Sequence, residues 1–329
     1  MIEPDPTPDT TTDGPHAGTV EDIDAILAEI AEVARPVARQ GEVADYIPAL
    51  RDADPDRFGI ALSDFDGVDH VIGDVDRPFA IQSISKVFAL VLAIQKADET
   101  EGVRKELWDR VGVEPSGDPF NSLVQLEREK GVPRNPMINA GALVIDDILV
   151  SHCGDPRAEL HALVEKVVGE PVEVDEDVLQ AEEDTGSRNR AMANLMRSFG
   201  NIHNDIDDVM ALYTYQCALL LTARQLARAA RFLANNGIEP RTGERLLREP
   251  LSRRVAALML TCGTYDAAGE FAYHVGLPSK SGVAGAIMAL VPDRYGIAVW
   301  SPPLDTSGNS KAGRVALHEL AERLELSIF

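Results

Sequence analysis

The chain is poor in cysteine, lysine and long apolar runs, and each shortage excludes a class of protein. Cys153, Cys217 and Cys262 are the only cysteines in 329 residues, an odd number without a CxxC pair. Neither a disulfide framework nor a cysteine zinc site is indicated. The seven histidines show no HExxH or other ligand spacing, so no metal or other cofactor is expected. No stretch approaches the roughly 18 apolar residues of a membrane span. Residues 1–18 lack a basic start and an apolar run and are rich in Pro, Asp and Thr, so they read as a disordered acidic tail rather than a signal peptide. A cytoplasmic protein is expected.

Positive charge is also scarce. Lys and Arg total 31 against 54 Asp and Glu, for a formal charge of −23 and an isoelectric point near 4.6. Binding to nucleic acid, or to an anionic membrane, relies on cations that neutralise phosphates, and both are disfavoured. Only 7 of the 31 basic residues are Lys, and the excess acid is spread along the chain. That pattern reads as a surface adapted to high salt, on which dense carboxylates hold water and repel other copies.

What is present supports a full core. Hydrophobic residues make up 45% of the chain, and a protein of this size buries roughly three quarters of its unfolded surface. Length suggests about two domains, or one domain with a large insertion. Ile23, Ile26, Leu27, Ile30, Val33 and Val37 recur at helical spacing and predict an opening helix over 20–39. Runs at 58–62 and 69–72, separated by Asp66-Gly67, read as a hairpin. The stretch 83–97 is apolar on a helical period. Helical runs at 140–151, 158–168, 188–199, 206–220 and 222–236 fill the middle, and 270–274, 284–291 and 295–301 look like strands before a last helix over 309–326. Strands at both ends with helices between predict an α/β (α+β type) fold, with a mainly antiparallel sheet built from both chain ends and a helical subdomain inserted. The boundaries read 19–97 and 263–329 for the sheet-containing part and 98–262 for the insertion.

The sharpest chemical signal is Gln82-Ser83-Ile84-Ser85-Lys86. Ser83 and Lys86 lie three apart at a predicted helix start and so share a face. A neighbouring amine can take the hydroxyl proton only if burial lowers its own pKa, and the run 87–94 is apolar enough to supply burial. Ser85 points to another face. Alone, this pattern is also what an N-capping Ser beside a surface Lys gives. Lys280-Ser281-Gly282, just before the run 284–291, adds a Lys, a hydroxyl and a Gly at a strand start. SxxK early and Lys-[Ser/Thr]-Gly late is the pairing of penicillin-recognising serine enzymes. There the late strand edges the active site, and its backbone N–H completes an oxyanion hole.

Longer blocks then accumulate: Val43-Ala-Asp-Tyr-Ile-Pro48, Gln82-Ser-Ile-Ser-Lys-Val87, Glu114-Pro-Ser-Gly117, Asn135-Pro-Met-Ile-Asn-Ala-Gly141, Gly186-Ser-Arg-Asn189, Cys262-Gly-Thr-Tyr-Asp266, the run from His274 to Gly285, and Trp300-Ser-Pro-Pro-Leu-Asp305. In this order they closely resemble the serine-dependent glutaminase family, over about residues 20–315. The resemblance implies a β-lactamase/penicillin-binding-like fold and hydrolysis of L-glutamine to L-glutamate and ammonia, with a homodimer or homotetramer as the assembly. Carried over by block, it implies Ser83 as nucleophile and Lys86 as general base. Asn139, Glu182, Asn189, Tyr213, Tyr265 and the backbone of Val283 fall at substrate-contacting positions, and Tyr46 at a further active-site tyrosine. Tyr265 or Tyr46 would relay a proton. Two positions depart from the family pattern: Ser187 stands where Asp is usual, and Tyr215 where another residue is common.

The residue types suit free glutamine. A carboxylate such as Glu182 can hold its ammonium, while Asn139, Asn189 and Tyr213 offer neutral donors and acceptors. Two other readings stay open from the residues: a β-lactamase-like serine hydrolase, against which stands the absence of a Ser-Asp-Asn element, and a catalytically silent glutamine-binding protein.

Overall fold

A computed structural model describes residues 20–45, 47–117 and 122–329. The expectations for the tail 1–18 and for Tyr46 lie outside the described residues. Among the described residues there are eight strands: β1 (Gly59–Asp64), β2 (Asp69–Gly73), β3 (Phe79–Ala80), β4 (Glu173–Val174), β5 (Leu219–Leu221), β6 (Ser279–Gly282), β7 (Ala286–Val291) and β8 (Tyr295–Trp300). The first helices are α1 (Val20–Ala38), α2 (Ser85–Glu99), α3 (Glu101–Arg110), α4 (Leu123–Arg128), α5 (Asn139–His152) and α6 (Pro156–Val168). They are followed by α7 (Glu176–Thr185), α8 (Ser187–Ser198), α9 (Ile206–Cys217), α10 (Ala223–Ala234), α11 (Glu249–Cys262), α12 (Ala268–His274) and α13 (Lys311–Arg323).

The main sheet has the order β2-β1-β8-β7-β6 and every pairing in it is antiparallel, so both ends of the chain supply it. Side chains alternate across a strand, and the parity is visible here. Ile60 and Leu62, Ile287 and Ala289, and Ile297 and Val299 enter a core shared with α1 and α13. Ala61, Met288, Leu290, Ala298 and Trp300 enter the other core, with Leu226, Ala227 and Ala230 of α10. Covered on both faces, these strands read as nearly continuous apolar runs. Helix α10 comes from the middle of the sequence yet lies directly on the sheet. At Gly296 its backbone passes so close that a Cβ would sit 2.1 Å from the Ala227 carbonyl oxygen.

A second, small sheet has the order β3-β5-β4. It meets the large one where the Phe79 and Trp300 rings stack 5.2 Å apart. Helix α2 runs through the larger core, and Ser85 to Ile94 are all buried. A helix apolar on every side is a helix with no solvent face.

Two local expectations are corrected. The segment 270–274 is helix α12, not a strand: Phe271 is buried while Tyr273 is 85% exposed, the one-sided burial of a short surface helix. Its two aromatics imitated strand composition. Lys280-Ser281-Gly282 does not open the strand 284–291 but forms its own strand β6, returned onto β7 by a turn in which the Gly285 N–H donates to the Gly282 carbonyl at 3.0 Å.

The close pass at Gly296 yields a stability prediction. Gly296→Ala forces β8 and α10 apart and is expected to cost about 2 kcal/mol, as overpacking does. Urea unfolding measures this, and an unchanged midpoint would contradict the packing described.

Candidate active site

Ser83 lies in a single 3₁₀ turn, Gln82–Ile84, that runs directly into α2. Gln82 has a positive φ of 51°, a left-handed conformation that costs a non-glycine residue about 1 kcal/mol. The turn is anchored by the Ile81 N–H donating to Leu219 O at 2.9 Å and by the Ser85 hydroxyl donating to Gln82 O at 2.7 Å. Strained backbone, small strand and helix start thus fix one side chain, that of Ser83, which is 7% exposed.

Lys86 follows on the same face and is fully enclosed. Its Nζ donates to Ser83 Oγ at 3.0 Å and to Asn139 Oδ1 at 2.5 Å. Asn139 in turn donates through Nδ2 to Asn189 Oδ1 at 3.0 Å. The Tyr213 ring lies 5.7 Å from the amine. Burial pushes the Lys86 amine down to about 8; negative charge on Cys217, Glu182 or Asp146 would oppose that shift. An amine hydrogen-bonded only to a hydroxyl and an amide has no ionic partner to hold its proton, so desolvation wins.

The partners arrive from separate helices by readable local rules. Asn135 Oδ1 accepts from the N–H groups of Met137 and Ile138, which sets the turn into α5 with Asn139 as its first residue. Asp175 caps α7 by accepting from Val178 N at 3.0 Å, and two turns on Glu182 is buried. Burial pushes the Glu182 carboxyl up, opposed by the Gln82 side chain and by Lys86. Asn189 stands in the first turn of α8. Tyr213 on α9 is buried, which pushes its phenol well above the usual range.

The opposite wall comes from the late part of the chain. Strand β6 passes against the Ser83 turn because residue 282 is Gly: a Cβ there would lie 2.6 Å from Ile81 O. Val283 follows immediately in the turn to β7, and Trp300 Nε1 steadies that turn by donating to Ala284 O at 3.0 Å. Tyr265, also at positive φ, donates its hydroxyl to Ser281 O at 3.1 Å. Lys280 is wholly buried, donates to Gly263 O and Ser281 O at 3.1 and 2.7 Å, and holds its Nζ 4.6 Å from the centre of the Tyr265 ring.

Ser83, Lys86, Asn139 and Asn189 therefore form one hydrogen-bonded chain. Tyr213 and Glu182 act on Lys86 from α9 and α7, and Tyr265 and Val283 share one apolar cluster on the facing wall. Of the two departures, Tyr215 lies on the other side of α9, where its hydroxyl meets His161 Nδ1 at 2.7 Å and the Arg157 guanidinium covers its ring. Ser187 is the exposed first residue of α8. Reasoning from sequence singled out Lys280 only within its triplet and not as a buried cation, and it passed over the strain at Gln82 and the nearness of Cys217 to the amine. Lys280 had a signal in its Lys-Ser-Gly triplet; Cys217 had one in its spacing of four from Tyr213. Among the described residues no group of three His, Cys, Asp or Glu side chains is arranged to hold a metal.

This geometry can support attack by a hydroxyl on an uncharged acyl group, with a buried amine to accept the proton. Comparisons with known proteins agree on the kind of chain that carries it. A family model described as glutaminase matches residues 41–329. A curated glutaminase of Methylobacterium radiotolerans is 48% identical over 312 residues, covering 94% of this chain and 99% of that protein. A crystal structure of a probable glutaminase of Bacillus subtilis superposes with a TM-score of 0.85 at 35% identity, covering 94% of this chain and 99% of the other. The structure of a Bacillus subtilis glutaminase in covalent complex with 5-oxo-L-norleucine, formed by reaction with 6-diazo-5-oxo-L-norleucine, gives a TM-score of 0.82 at 35% identity over 93% and 99% of the two chains.

Proposed function

The chain belongs to the glutaminase family and is a glutaminase enzyme, and on that premise we propose that it hydrolyses L-glutamine with Ser83 as nucleophile and Lys86 as its base. The observation that carries this reading is the 3.0 Å contact between Ser83 Oγ and an enclosed amine whose pKa is lowered to about 8. The covalent adduct recorded for the Bacillus subtilis relative supports a nucleophile in the same fold.

In the proposed cycle the neutral Lys86 accepts the Ser83 proton as Oγ attacks the side-chain amide carbon of glutamine. The oxygen that becomes negative faces the N–H groups of Ser83 and Val283, the kind of preorganised donor pair that stabilises such charge. Ammonia leaves after taking a proton, which Lys86 now carries and Tyr265 can relay; Tyr46 keeps its place as the second candidate relay. The γ-glutamyl ester is then hydrolysed by a water that Lys86 deprotonates. At the far end of the substrate Glu182 holds the ammonium, and Asn139, Asn189 and Tyr213 hold the carboxylate and amide.

The surrounding properties are proposed with the same basis. The sheet-bearing segments 19–97 and 263–329 and the inserted helical segment 98–262 are taken as two units that meet at the site, supported by the derivation of Ser83 and Val283 from one and Asn139, Glu182, Asn189 and Tyr213 from the other. Among the described residues no helix is long and apolar enough to cross a membrane. All three cysteines are free, which suits the reducing cytoplasm. A homodimer or homotetramer is carried from the family, and sedimentation of the pure protein decides between them. The net charge of −23 supports a salt-adapted surface.

Mutation and pH give sharp outcomes. Ser83→Ala is expected to lower kcat for ammonia release at least about 10⁴-fold, as loss of a serine nucleophile does; retention within a few-fold would contradict the assignment. Glu182→Gln is expected to raise KM for glutamine about tenfold or more, the worth of a charged hydrogen bond, and an unchanged KM would remove Glu182 from the site. Below its folded pKa Lys86 is an ammonium and cannot accept a proton. The rate profile kcat/KM should therefore fall as pH drops through about 8 and level off above it, and a flat profile from 6 to 9 would count against Lys86 as the base. For the surface, the thermal midpoint should rise between low and molar sodium chloride as screening relieves self-repulsion; a salt-independent midpoint would discard the salt-adapted reading.

A further inference from the structure

Two neighbouring aspartates on α5 are both fully buried, and they are provided for very differently. Asp147 is bound by the Arg110 guanidinium, by the N–H groups of His203 and Asn204, and by Asn204 Nδ2. Those donors are what a buried carboxylate requires. Asp146, one residue earlier, receives only Gln216 Nε2, at 3.2 Å on Oδ2. Its Oδ1 accepts from no donor among the described residues, and the same is true of Oε1 on that same Gln216.

The two unserved atoms are both acceptors, and they belong to two side chains already in contact. A proton on the carboxyl cures both defects, because an acid facing an amide exchanges two hydrogen bonds where a carboxylate can take only one. Helix spacing ties this pair to the reaction centre. Asp146 is seven residues, two turns, from Asn139 on the same face of α5, and Gln216 is three from Tyr213 on α9. Both Asn139 and Tyr213 touch Lys86.

We propose that Asp146 is a neutral carboxylic acid in the working enzyme, its O–H held toward Oε1 of Gln216, and that it is a positioning residue which withholds a counter-charge from Lys86. The proposal rests on the reading of Lys86 as the base. The charged and titratable groups that face Asp146 are Lys86 from α2, Asp147 on its own helix, and Tyr213 and Cys217 from α9. Burial raises the Asp146 carboxyl well above the carboxylate range, and Asp147 adds to this while Lys86 opposes it. Burial likewise keeps Tyr213 and Cys217 neutral. An ionised Asp146 would bind Lys86 as a permanent ammonium, whereas a neutral one leaves it free to exchange protons with Ser83.

Difference infrared spectroscopy of the whole protein against Asp146→Asn at pH 7 reads the proton directly. The expected result is a protonated carboxyl C=O band that the variant lacks; loss of carboxylate bands instead would overturn the proposal. This readout does not depend on activity, so it stands even if Lys86 is not the base. Should Asp146→Asn fail to fold, Gln216→Met is compared with the parent, and the same band should move to higher frequency; a band that does not move would overturn the pairing. The link to Lys86 is read from pH profiles. Gln216→Glu sets a second carboxyl against Asp146 so that one proton is shared and one negative charge remains. The acid limb of kcat/KM should rise by about one pH unit or more, which a merely structural role would not cause, and an unmoved limb would overturn the coupling. Asp146→Asn, an uncharged isostere, should leave the limb within about 0.3 unit; a fall of a unit or more would reveal that a carboxylate had been removed.

Discussion

The rest of the structure depends on enclosing one primary amine among uncharged partners. An ammonium in a low-dielectric interior is costly unless a carboxylate pairs with it, and the Nζ of Lys86 is given a hydroxyl and an amide oxygen instead. The amine responds by holding its proton less tightly, at about 8. Helix α2 is apolar all round from Val87 to Ile94, so its first turn lies inside the protein, and α5 and α9 close over it with Asn139 and Tyr213 directed at the amine. The buried carboxyls nearby are provided for differently, Asp147 tied to Arg110 and Asp146 accepting one hydrogen bond from the Gln216 amide.

The second wall shows how a sheet built from the chain ends completes a site that begins in its first third. Strands β1 and β2 are laid beside β8, so residues 59–73 and 279–300 become neighbours, and β6 at the sheet edge runs past the Ser83 turn. Gly282 permits the approach. Trp300 then performs two tasks, stacking on Phe79 of the small sheet and bonding the turn that bears Val283. Both flanks of the site are thereby fixed to the same strand.

Much of this was legible in the residues. Apolar periodicity located the opening and closing helices and the hairpin, and the placing of strands at both ends implied the antiparallel sheet now seen. The Ser83 and Lys86 spacing, with Lys280-Ser281-Gly282, points to the candidate site, and the block resemblance implies Asn139, Glu182, Asn189, Tyr213, Tyr265 and Val283 as its further members. What escaped is what pattern cannot express. Residues 270–274 carry two aromatics, and composition alone does not tell a short surface helix from a strand. The left-handed Gln82 is dictated by tertiary anchoring at Ile81 and Ser85, not by its own preference. The contact between Asp146 and Gln216 spans 70 residues. In sequence, an Asp-Asp pair in a helix reads as solvated surface; only the fold shows both to be buried and only one to be supplied with donors.

The central claim is that Lys86 exchanges its proton near neutrality because of where it is held. Titration of the lysine side chains by NMR, with Lys86 assigned through Lys86→Met, tests it without reference to turnover. The account predicts one lysine resonance that titrates near 8 and is lost in that variant. A Lys86 resonance that titrates near its ordinary value of about 10.4 would contradict it.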